Sequence, residues 1–206
     1  KYLIIKYLSR GTFSKVWLVY DITNNMYYAL KIQEDEDNET LINEVKMLNL
    51  LKESERVCKM IDHFEIKLEG RTRKAIILEL LGNSVGYLTY EENDEFVNLD
   101  MIRQISKQLL IGINDIHKKN LVHCDLKLDN ILFTESNSQI KNIISEIDKL
   151  ELNQSYNTIL EQTINSKLVG LNKAKRKTMK KKIKKKILKE LVNQNRDKII
   201  EINDKQ

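Results

Sequence analysis

A chain of 206 residues with 41% apolar content can bury the core of one ordinary domain, with or without an appendage. No apolar run approaches the roughly 18 residues a membrane-spanning helix needs, and no signal-peptide pattern is present, so neither membrane insertion nor secretion is expected. The net charge of +5 conceals a division: residues 173–189 hold eleven Lys or Arg and no acid, and setting these aside leaves 24 basic against 30 acidic residues.

The first third reads as strands with one helix. Residues 2–8, 16–20 and 27–32 are short runs rich in Tyr, Ile, Leu and Val, split by Gly11 and by Asn24-Asn25, and they predict three strands. The polar stretch 33–38 leads to a predicted helix over 39–52, where Leu41, Val45, Leu48 and Leu51 recur at helical spacing. Residues 57–66 and 74–81 predict two more strands. A long helix follows over 99–119, with Ile102, Ile105, Leu109, Ile113 and Ile116 on one face. From residue 136 the pattern changes to charge blocks with sparse apolar residues. This predicts a basic tail, largely helical or disordered, with solvated helix over 187–202 and nothing able to bury a core.

Between the long helix and the tail, residues 121–133 read L-V-H-C-D-L-K-L-D-N-I-L-F. Asp125, Lys127 and Asn130 stand there at positions n, n+2 and n+5. Phosphoryl transfer to a hydroxyl needs such a set: an acceptor that orients the hydroxyl, a cation near the moving phosphate, and an oxygen ligand for Mg²⁺. The string resembles the protein-kinase catalytic loop H-R-D-L-K-P-E-N, with Cys124, Leu128 and Asp129 as the departures. The resemblance implies that Asp125 and Lys127 are catalytic and that Asn130 is a metal ligand. Cys124 replaces an arginine that in many kinases contacts a phosphorylated activation loop, so activation of that kind is not expected. His63, His117 and His123 read as packing or turn residues.

Three upstream segments extend the resemblance. Leu8, Ser9, Arg10, Gly11, Thr12, Phe13, Ser14, Lys15 and Val16 resemble the kinase glycine loop L-G-x-G-x-F-G-x-V, whose backbone N–H groups approach phosphates; Val16 would cover the adenine. Tyr28, Ala29, Leu30 and Lys31 resemble V-A-I-K, and Lys31 follows Val16 by fifteen residues, as in the family. Lys31 is then expected to pair with a helix carboxylate, Glu44 or failing that Glu39, and so to aim its ammonium at the α- and β-phosphates. Residues 76–82 resemble the hinge between lobes, with Leu78 as gatekeeper and with Glu79 and Leu81 offering backbone hydrogen bonds to adenine; a buried strand accounts for the same apolar run.

The resemblance implies an α+β fold: a small lobe over 1–81 with a five-stranded antiparallel sheet and one helix, the start of a helical large lobe over 82–135, and the spacer-like tail over 136–206. ATP and Mg²⁺ are the implied cofactors, and protein Ser/Thr hydroxyls the implied acceptors. No D-F-G occurs among the 206 residues, and Asp148 in I-D-K-L is a poor substitute, so the chain is expected to be a kinase cut off partway. R-G-T-F-S-K-V-W-L, N-E-V-K-M-L and E-L-L-G-N-S are similar to the SR-protein kinase family. That family carries a charged spacer after the catalytic loop and acts on Arg-Ser-rich substrates.

A truncated or degenerate kinase acting as a binding module remains the alternative. Cys58 and Cys124 read as reduced thiols of an intracellular protein, in cytoplasm or nucleus. The absence of proline and the many Asn, Ile and Lys residues suggest an AT-rich genome such as a protist's or a large DNA virus's, the latter placing the protein in a host cell. The 173–189 run is a solvated charge block, an import signal, or a non-specific nucleic-acid contact; no other nucleic-acid role is expected, since no aromatic residue is interleaved.

Overall fold

The computed structural model describes residues 1–11, 14–34, 39–68, 70–89, 99–168 and 172–204. Five strands, β1 (Tyr2–Arg10), β2 (Ser14–Asp21), β3 (Met26–Gln33), β4 (Met60–Leu68) and β5 (Arg71–Glu79), form one sheet in the order β1-β2-β3-β5-β4. Helix α1 (Glu39–Leu50) interrupts the strands, α2 (Leu99–Lys118) follows them, and α3 (Ser138–Asp148), α4 (Leu152–Lys167) and α5 (Lys173–Asp204) complete the chain. The expected five-stranded sheet and helices are thus present, with a helical C-terminal region.

Two compact units divide these residues. One comprises Lys1–Tyr7, Trp17–Tyr28 and the chain from Ser138 onward; the other comprises Leu8–Val16 and Ala29–Asn137.

In the first unit the β2–β3 turn is built around Asp21. Its side chain is fully buried, and accepts from the Thr23 N–H at 3.0 Å, the Thr23 hydroxyl at 2.6 Å and the Asn24 amide at 2.8 Å. Asn25 takes the left-handed conformation that closes the turn (φ 56°), a conformation asparagine tolerates. The C-terminal helices bury many of their apolar residues here. Ile143, Ile147, Leu152 and Tyr156 are at most 2% exposed, and the Asn153 amide donates to the Ile22 carbonyl at 2.6 Å. The Tyr27 hydroxyl donates to Asp148 Oδ1 at 2.7 Å, and burial first, then Asp148, pushes the Tyr27 phenol far up.

The expectation that this tail cannot bury a core is corrected by α5. Ile183, Ile187, Leu191 and Ile199 are all buried. They recur at intervals of four and eight, a row that winds slowly around the helix and is diluted by the lysines between them. Burying four such side chains contributes roughly 6–12 kcal/mol before entropy. The seven like-charge i,i+4 pairs in 173–189 cost roughly 1.5–3.5 kcal/mol together. Burial wins, and lysine itself favours helix.

In the second unit, β4 and β5 pair antiparallel from Met60↔Leu78 to Leu68↔Arg71. Asp62 faces Ile77, so Ile61 is an extra residue in the ladder and turns outward at 46% exposure. Gly70 makes the hairpin turn at φ +77°. Helix α1 buries Leu41 and half-buries Val45 and Leu48. On α2, Ile116 is buried and Ile105, Leu109 and Ile113 are half-buried; Ile102, expected on the same face, is 47% exposed. The close approach lies in the last two turns of the helix, where a Cβ on Gly112 would meet Arg56 Cβ at 3.1 Å and Ser54 donates to Asp115 at 2.7 Å.

Candidate active site

The candidate catalytic, nucleotide and metal residues fall in the second unit, apart from Thr12 and Phe13, which lie outside the described residues; Tyr28 and Asp148 belong to the first. Strand β3 carries Ala29, buried, and Lys31, about one quarter exposed. Helix α1 turns Glu44 toward that strand because Glu44 sits next to Val45 and one turn from Leu41 and Leu48, on the edge of the packed face. Both Glu44 carboxylate oxygens accept from Lys31 Nζ at 2.7 Å. A lysine so held projects a fixed ammonium, which suits a phosphate. Cys58 lies near this pair; burial, then Glu79 and Glu44, push its thiol up to about 12, leaving it inert.

The glycine-loop segment begins at the end of β1 and resumes in β2. Gly11 N–H donates to the Ser14 carbonyl at 2.8 Å, and Ser14 is buried. Arg10 and Lys15 converge on one carboxylate that sequence reading passed over: Glu34, at 3.1 Å and 2.6 Å. The Lys15 hydrogen bond first, and the charge of Arg10 after it, hold the Glu34 carboxyl below its usual range. Glu34 hides in the polar stretch after β3, and its position three residues beyond Lys31 is the one signal that could have found it.

The hinge segment leaves β5 at Glu79. Its N–H donates to the Lys59 carbonyl at 2.9 Å, and its carboxylate accepts from the Lys59 N–H at 2.7 Å. Leu78 and Leu81 are half-buried. Beyond them, Gly82 N–H donates to the Phe133 carbonyl at 2.7 Å, Phe133 N–H to Asn83 at 3.0 Å, and Val85 N–H to Ile131 at 2.7 Å. This short ladder ties the hinge to the end of the loop over 121–133. It leaves no space at Gly82, where a Cβ would stand 1.7 Å from the Glu135 carbonyl oxygen.

That loop carries Asp125, Lys127 and Asn130 together. Cys124 adopts φ 63°, and the Asp125 N–H donates to His123 Nδ1 at 3.3 Å, so His123 serves the turn. A single 3₁₀ turn over Leu128–Asn130 then brings Asn130 back. Its amide nitrogen donates to the Asp125 carbonyl at 2.8 Å and to Asp125 Oδ2 at 2.9 Å, while Lys127 Nζ lies 3.3 Å from the same Oδ2. The Asn130 bond first, and Lys127 after it, hold the Asp125 carboxyl below the usual range. All three side chains are exposed, so each is open to a ligand from solvent.

The donor set fits Mg·ATP in part. Lys31 suits the phosphates. With both contacts to Asp125 made through its nitrogen, Asn130 keeps an amide oxygen suited to a hard cation. Among the described residues no group of three or more His, Cys, Asp or Glu could hold a metal, and Asp148 is engaged by Tyr27.

Comparison with known proteins gives the family. The model of the protein kinase domain family matches residues 2–143. Serine/threonine-protein kinase SKY1 of Saccharomyces cerevisiae is 27% identical over 164 residues, covering 73% of this chain and 22% of its own. SRSF protein kinase 3 of Sus scrofa is 26% identical over 194 residues, covering 86% of this chain and 34% of its own. The chain therefore spans between a fifth and about a third of these relatives. A crystal structure of a kinase domain superposes with a TM-score of 0.57 at 24% identity, covering 65% of this chain and 40% of that one.

Proposed function

The chain belongs to the protein kinase domain family, and from that premise we propose that the protein transfers the γ-phosphate of ATP to serine or threonine hydroxyls of other proteins. The observation that carries the reading is the Asp125–Lys127–Asn130 cluster. A carboxylate held below its usual range stays ionised near neutral pH, so Asp125 accepts the hydrogen bond of an incoming hydroxyl and orients it. Lys127, bound to the same oxygen, brings positive charge beside the transferring group. Lys31, aimed by Glu44, holds the phosphates of the nucleotide, and Asn130 offers one oxygen to a metal. Mg²⁺, when bound, neutralises charge on the phosphates.

The subfamily reading goes further. The likeness to SRSF protein kinases supports Arg-Ser-rich substrates, and it supports a small lobe over 1–81, the start of a large lobe over 82–135 and a charged insert over 136–206. The second metal carboxylate then lies outside these 206 residues. Free thiols at Cys58 and Cys124 support a cytoplasmic or nuclear site, in a host cell if the source is viral.

The 206 residues alone are expected to be inactive, so transfer from labelled ATP to peptide arrays, by a chain that carries the second metal carboxylate, tests the reading. Phosphate on Ser or Thr, lost in Asp125→Asn, is the expected result; transfer mainly to tyrosine overturns it, and Ser/Thr transfer without an arginine requirement overturns only the subfamily. Ser9 and Ser14 in place of loop glycines, and Leu128 in place of proline, favour a second reading, a nucleotide-binding module without transferase activity. Retained Mg·ATP binding with no transfer in any context identifies it.

A further inference from the structure

The packing of α5 leaves one surface unaccounted for. All eleven basic residues of 173–189 are exposed, whereas Ile183, Ile187 and Leu191 are buried. Residues four apart on a helix stack on one face, about 6 Å apart along its axis. Lys181, Lys185 and Lys189 therefore form a row on the side turned away from the buried stripe, flanked by Lys182 and Lys186. Among the described residues the one carboxylate meeting this run is Glu190, 3.5 Å from Lys186. An ordered helix holds these charges in line, which a disordered run cannot do.

We propose that this face of α5 docks on the phosphate backbone of a nucleic-acid duplex, without reading sequence. Three observations choose this occupant. The basic residues are ten lysines and one arginine, and Arg176 already donates to the Leu168 carbonyl at 3.1 Å. Lysines act as point charges that suit a line of phosphates, whereas recognition of protein carboxylates favours the arginine fork. No aromatic residue occurs in α5, so bases of a single strand find no stacking platform. The apolar stripe that would enter a bilayer is buried, and the exposed Met179 and Ile200 stand about 30 Å apart along the helix, too far to form a patch. A duplex carries about one charge per 1.7 Å of its axis, so a 17-residue run about 25 Å long meets phosphate along its whole length.

The test uses the full 206-residue chain and the anisotropy of fluorescein-labelled RNA and DNA duplexes between about 50 and 200 mM salt. Five lysine–phosphate contacts predict a log–log salt slope of about −4 to −5. The triple variant Lys181→Gln, Lys185→Gln, Lys189→Gln should flatten the slope by roughly 2 to 3 and weaken binding at least about tenfold at low salt. Lys67→Gln, Lys118→Gln, Lys119→Gln has the same net charge and should bind as the unaltered chain does. Circular dichroism checks that α5 persists. On the unaltered chain, duplex should shield Lys181, Lys185 and Lys189 from acetylation but not Lys67, a readout independent of any variant's folding. No binding at low salt, equal loss in both triple variants, or absent shielding overturns the proposal. So does equal or tighter binding to polyglutamate, to anionic vesicles or to a single strand.

Discussion

The loop over 121–133 and helix α5 are both polar segments with scattered apolar residues, yet they spend those residues in opposite ways. In the loop, every residue from 122 to 130 is exposed, and position is enforced by backbone bonds and by the Asn130 amide. In α5, four aliphatic side chains are buried and the charges are displayed around them. The segment most recognisable in sequence contributes chemistry with little packing, while the segment that looks like filler contributes packing. Recognisability follows from chemistry, which fixes residue types; packing fixes only spacing, and many sequences satisfy it.

The sharpest separation is expected at Asp125. Asp125→Asn should lower phosphotransfer by about 10² or more in the active protein, because the oriented acceptor is lost. The thermal midpoint should hardly move, since the carboxylate is exposed. A midpoint that falls along with activity would make the loop a packing element and dissolve the contrast.

The converse belongs to α5. Ile187→Ala should destabilise the chain by about 2–5 kcal/mol in denaturant titrations, the cost of a buried aliphatic truncation, whereas Lys185→Ala should stay within about 0.5 kcal/mol. Equal, small effects would show that the helix packs on nothing that matters.

How far sequence could see is set by the same distinction. The strands were legible because Tyr, Ile and Val runs bounded by Gly11 and Asn24-Asn25 suit a half-buried pleat, and Lys31 and Glu44 were legible because each stands in a recognisable string. The ends of β4 and β5 were less so. Val57 and Cys58 look strand-like but lie in the bend ahead of β4, just before Lys59 bonds to Glu79, and Arg71–Lys74 join the sheet despite their charge because that end of the hairpin is solvated. The extra residue at Ile61 has no sequence signature. Glu34 drawing in Arg10 and Lys15 was hidden because its neighbours are equally polar, and the α5 stripe because one apolar residue in four falls below the density that announces a core.

Glycines divide along the same line with a smaller effect. Gly82→Ala must push back the Glu135 carbonyl and should cost about 1–3 kcal/mol, measured as a shift in denaturation midpoint. Gly11→Ala meets Ser14 Oγ at an ordinary 3.5 Å and should stay within about 0.5 kcal/mol, any loss falling on nucleotide affinity instead. Equal destabilisation by the two would place the glycine loop among the packed elements.

The smallest effect concerns the charge state of Asp125. Its folded carboxyl titrates below the ordinary range, so ionisation favours the folded loop above the unfolded value, and this contribution disappears as pH falls through the lowered folded one. Asn130 is the larger cause and Lys127 the lesser. Carboxyl-carbon NMR titration should therefore find Asp125 moved up toward its ordinary value in Asn130→Ala, and moved up less in Lys127→Ala. Neither variant should change the unfolding midpoint at neutral pH, because solvent screens an exposed pair. If Lys127→Ala gave the larger rise, the loop would be held by charge and not by the amide, and salt would then loosen it. If both variants unfolded the chain, the loop would share the packing role that distinguishes α5.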